Sequence, residues 1–187
     1  MLKTCKKTQS AGFSLLELLL VVAVGAILIL AGLGAYRLVS EGSNTNRATQ
    51  QLNTLKQQTQ QAFAGQGAYG TATLTSLVAT LDNMKALPSD MAVSGTTIRN
   101  AFGTATTITT GATAATLNTF IVTFPAVPVS SCIKLGQLFT PGNANDLARL
   151  AIGATNIDRG AAATAYTLAA ITTACGTAAT NMAWTFN

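Results

Sequence analysis

The 187-residue chain has no histidine. That removes the side chain most used as a general base near neutral pH and as a metal ligand. Charge is sparse too: charged residues make up 9% of the chain, against about a quarter in an average soluble domain. The acidic residues Glu17, Glu41, Asp82, Asp90, Asp146 and Asp158 form no close pair in sequence, so paired-carboxylate catalysis is not indicated. Basic residues after Lys7 are scattered singly, whereas nucleic-acid binding normally shows a basic stripe or patch; no direct nucleic-acid site is read. No cofactor motif is present, and the chain reads as something other than an enzyme. Proline is scarce, with none before Pro88, so no proline interrupts a helix in the first half.

What is present is apolar. Hydrophobic residues reach 49% and the mean hydropathy is +0.39, with the excess concentrated in the first forty residues. In "KKTQSAGFSLLELLLVVAVGAILILAGLGAYR", residues 6–37, the stretch Phe13–Tyr36 carries one formal charge, Glu17. As a helix it spans about 36 Å, enough for roughly 30 Å of hydrocarbon. The Leu, Ile and Val side chains from Leu18 to Leu33 favour insertion by about 3–7 kcal/mol. An acid at mid-bilayer costs about 2.5–3.5 kcal/mol and less near an edge, so insertion wins. Lys3, Lys6 and Lys7 outweigh Arg37 and place the amino terminus on the cytoplasmic side. Glu17 is either an edge residue reaching the headgroups or a group neutralised by a positive partner. A secretory signal has its small-residue cleavage site after the apolar core; here Ala11-Gly12 lies before it.

"GFSLLELLLVVAVGAILILAGL" resembles the amino-terminal signature of type IV prepilins. That signature is a short basic leader ending in glycine, a hydrophobic first mature residue, glutamate at the fifth mature position, and a long apolar helix. Gly12, Phe13 and Glu17 occupy those places. The resemblance implies that a prepilin peptidase cleaves between Gly12 and Phe13 and methylates the Phe13 amine. It also implies that Glu17 pairs with the Phe13 amine of a neighbouring copy during assembly. The partners implied are other copies in a helical homopolymer, the inner membrane before assembly, the peptidase and the pilus assembly machinery. The product is an extracellular pilus serving adhesion, aggregation, motility or conjugation. A secretion-system pseudopilin and a minor pilin are the alternatives. A single-pass membrane enzyme needs a nucleophile–base set that the head lacks.

The organisation follows. Residues 1–12 are the cleaved leader and 13–36 the transmembrane and assembly helix. Residues 37–64 continue that helix amphipathically, because Ala48, Leu52, Leu55, Ala62 and Phe63 recur at helical intervals before Gly65 and Gly67. Residues 65–187 form an α+β head with a largely antiparallel sheet. "TSLVATLDNMKALPS" places Leu77, Val78, Leu81 and Met84 on one helical face. "GTTIRNAF", "TATTITT", "LNTFIVTF" and "NMAWTFN" read as strands, "PVSSCIKLGQLF" and "AYTLAAITTAC" as helices, and 142–163 as ambiguous. After leader removal Cys132 and Cys175 remain, an even pair in a compartment where disulfides persist; two buried free thiols are the alternative. Pilins carry such a carboxy-terminal bridge, here bounding 132–175. The Cys132 segment and the final "WTF" resemble the type IVb branch, including thin pili of conjugative systems. The short leader and Phe13 resemble type IVa.

Overall fold

Helix α1 covers Leu15–Ala62 in the computed structural model, which describes residues 14–70, 76–91, 93–111, 118–139, 146–158 and 167–187. The chain divides into two units between Ser40 and Glu41. In the first unit, Ser14 starts the helix: its Oγ accepts the Glu17 N–H at 3.2 Å, satisfying one of the otherwise unpaired first-turn donors.

In the second unit α1 lays one stripe inward. Thr45, Ala48, Gln51, Leu52, Leu55 and Thr59 are buried at helical spacing. Phe63 joins them just past the helix end, while Ala62 is only partly buried. Gly65 then takes φ +83°, a left-handed turn that glycine adopts without steric cost.

The remaining elements are α2 (Val78–Asn83), β1 (Val93–Ser94), β2 (Thr97–Arg99), β3 (Ala105–Thr110), β4 (Phe120–Val127), α3 (Val129–Leu138), β5 (Leu147–Ile152), β6 (Thr155–Asp158), α4 (Leu168–Cys175) and β7 (Thr180–Phe186). Together they give an α+β fold with one antiparallel sheet in the order β1-β2-β3-β4-β7-β5-β6. The last strand enters the middle because alternate residues Met182, Trp184 and Phe186 are large and apolar, and a central strand buries them most fully. One inner row runs Ile108, Val122, Trp184, Leu150 and Ile157 across five strands, all buried. The opposite face carries Thr107, Thr123, Ala183, Ala151 and Asn156 in matching register.

Two sequence expectations need correction. The second helix stops at Asn83, and Met84 is 51% exposed; Lys85, at φ +55°, turns the chain away before a further helical turn can form. The ambiguous 142–163 stretch contains the β5–β6 hairpin, closed by Gly153 at φ +57°.

Candidate assembly site

Every Leu, Ile and Val from Leu15 to Val39 is exposed, from 49% at Val24 to 80% at Leu15. An apolar surface of that extent is not stable facing water and marks a membrane or subunit contact. Helix α1 is also the one helix among the described residues long and apolar enough to cross a bilayer. Glu17 sits exposed in its first turn, where a carboxylate is favoured by the helix dipole. Ser14 and Glu17 have the S-x-x-E spacing of a capping box, and the serine half of that box is made. That spacing was readable in the sequence. Gly12 and Phe13 lie outside the described residues.

Cys132 and Cys175 are joined by a disulfide across 43 residues, with Cα atoms 5.9 Å apart. Their helices touch closely further along: a Cβ on Gly136 meets Ile171 Cγ2 at 2.7 Å. Only glycine allows that approach without a shift. Pro128 precedes α3, where a missing N–H costs nothing.

Polar side chains that periodicity did not mark fix α1 against the head. Gln51, 3% exposed, donates through Nε2 to Asp90 Oδ2 at 2.7 Å and accepts the Ala101 N–H at 2.8 Å. The Thr45 and Ser131 hydroxyls lie 2.8 Å apart, linking α1 to α3. Lys56 Nζ lies 2.9 Å from Asp146 Oδ2 and 5.9 Å from the Phe186 ring centre. Burial opposes the charged form of Asp146. The Lys56 hydrogen bond and charge, a backbone N–H and Gln60 outweigh it, so the carboxyl is held below its usual range. No three His, Cys, Asp or Glu side chains are grouped to hold a metal among the described residues.

A long amino-terminal helix with a bare apolar start, one antiparallel sheet among the described residues and a carboxy-terminal cysteine clamp define a type IV pilin. The chain matches a solved type IV b pilin from Salmonella typhi at TM-score 0.58 and 20% identity, covering 78% of this chain and 99% of that one. It matches TcpA, a type IV pilin from the Vibrio cholerae El Tor biotype, at TM-score 0.55 and 19% identity with the same coverage. The family model described as PilS N terminal matches residues 42–187, and the chain belongs to that family. The prokaryotic N-terminal methylation motif matches residues 7–33. No curated protein matches. The chain is thus a pilus subunit, membrane-anchored before assembly and part of an extracellular pilus afterwards.

Proposed function

We propose that this chain is the major subunit of a type IVb pilus, processed between Gly12 and Phe13 and methylated at the Phe13 amine. The observation that carries this reading is the bare helix: its exposed apolar side chains point all round, so no single neighbour covers them. Lipid covers them before assembly, and other copies of the same segment afterwards. Head-to-tail contacts between identical copies repeat without closing and give a filament. In that setting Glu17 pairs with the Phe13 amine of an adjoining copy. A buried charge left unpaired is costly, so the pair sets register as each subunit leaves the bilayer. The chain has no catalytic role; the peptidase and the assembly machinery supply the chemistry and the work.

The Cys132–Cys175 bridge supports a pilin over a secretion pseudopilin, because pseudopilins often lack a carboxy-terminal disulfide. Mass analysis of subunits sheared from cells tests the proposal. The expected subunit begins at a methylated Phe13 and contains one disulfide. A subunit that still begins at Met1, or that never appears in the sheared fraction, refutes it.

A further inference from the structure

At the carboxyl end of α1 the chain turns at Gly65 and brings Tyr69 edge-on against Phe63 and Phe120, with ring centroids 5.7 and 4.8 Å away. Beside these rings lies a cleft of about 210 Å³, lined by Gln60, Phe63, Gln66, Tyr69 and Asn118 among others. It is smaller than the roughly 300–1,000 Å³ that encloses a drug-sized ligand, so it takes one ring-sized unit while the rest of a longer molecule stays in solvent.

The wall has a specific chemistry. Three of the five named side chains are carboxamides, each offering two donors and an acceptor. Gln60 Nε2 is spent on the Asn187 carbonyl at 3.2 Å and on Asp146. The amides of Gln66 and Asn118 and the Tyr69 hydroxyl make no hydrogen bond among the described residues. Phe63 and Tyr69 add apolar ring surface with one polar tip. Among the described residues no charged side chain lines the cleft. Burial, and behind it the charge of Asp146, raise the pKa of the Tyr69 hydroxyl, so it stays protonated and able to donate. No cation among the described lining residues is there to pair with an anion. An extended peptide needs a free strand edge or a long groove, and among the described residues no strand contributes to this wall.

We propose that this cleft binds one neutral pyranose unit of an oligosaccharide. The carboxamides of Gln66 and Asn118 and the Gln60 oxygen pair with its hydroxyls, and the Phe63–Tyr69 pair borders its C–H face. A polyol suits the site because each hydroxyl both donates and accepts, as each carboxamide does.

Saturation-transfer NMR on the full chain tests this, in a phosphocholine detergent that carries no sugar. The probes are lactose, cellobiose and maltose, with sialyllactose as the anionic counterpart. Transfer to ring protons of at least one neutral disaccharide is expected, and weaker transfer to sialyllactose. Gln66→Ala and Asn118→Ala change exposed positions and leave the fold intact; each should weaken binding roughly fivefold, the loss of one hydrogen bond. Tyr69→Phe keeps the ring contacts and should also weaken binding. No transfer to any neutral probe, equal transfer to sialyllactose, or unchanged transfer in both alanine variants overturns the assignment. The measurement uses unassembled chain, so its failure and the failure of the filament reading are separate results.

Discussion

Leu28 and Leu52 are both leucines of α1, yet the first is 66% exposed and the second fully buried. Up to Ser40 the helix is apolar on every side. From Glu41 onward it is striped: Ala48, Gln51, Leu52 and Leu55 face the head, while Gln50, Gln57 and Gln61 face solvent. A stripe is covered by one sheet. An all-round apolar surface needs lipid or several copies. One continuous helix therefore divides two tasks by position, with folding written in its second part and assembly in its first.

The largest break of this comparison is Glu17→Ala. The head and the membrane anchor should be unaffected, because Glu17 is an exposed residue of the first unit and removing an acid eases insertion. Filament yield should fall to background in a shearing assay while the membrane-bound chain stays at its normal level. Normal piliation by this variant removes the assembly role of the carboxylate.

The opposite break loosens the head and spares the helix start. Replacing both cysteines, Cys132→Ser with Cys175→Ser, frees a loop of 43 residues and should cost roughly 4 kcal/mol in the chain-entropy model. The near-ultraviolet signal of Trp184, the single tryptophan and fully buried, reports head melting directly. Membrane retention should not change.

Paired leucine truncations sharpen the contrast. Leu52→Ala opens a cavity in the head core and should cost about 3 kcal/mol, lowering the melting temperature by roughly 6–12 °C. Leu28→Ala should leave that temperature unmoved and reveal itself only in filament yield. Equal melting shifts in the two variants would mean that the helix start supports the head after all.

Much of this division was legible in the sequence. The apolar run, the Ala48–Leu52–Leu55 stripe, the stop at Gly65 and the strand ending in Phe186 all follow from spacing. The β5–β6 hairpin did not, for a physical reason. The pairing of β5 with β7 is irregular between Leu147 and Arg149, so the buried residues Leu147, Leu150 and Ile152 fall at intervals of three and two. That irregularity hides strand parity behind a helix-like step. Gln51 and Thr45 were missed because their partners, Asp90, Ala101 and Ser131, are distant in sequence, and pattern reading sees only neighbours. Met84 has the right spacing but lies beyond the end of its helix. The place of β7 between β4 and β5 is a matter of topology, which strand order along the chain does not carry.

The smallest expected effect is electrostatic and confined to the striped part of α1. Lys56 holds Asp146, whose backbone carbonyl accepts the Asn187 N–H at 2.9 Å, so this ion pair ties the helix to the end of the last strand. Because the Asp146 carboxyl is held below its usual range, its contribution is present above the unfolded value of about 3.9 and is lost as pH falls through the folded value. Lys56→Met keeps the apolar stem near Phe186 and removes the charge. It should cost about 1 kcal/mol near neutral pH, with a smaller difference from the parent chain below about pH 4. Chemical denaturation followed by Trp184 at the two pH values measures both numbers. A difference that stays constant with pH would assign the effect of Lys56 to packing on Phe186, beside the hydrogen bonds that Gln51, Thr45 and Gln60 make from α1 to the head.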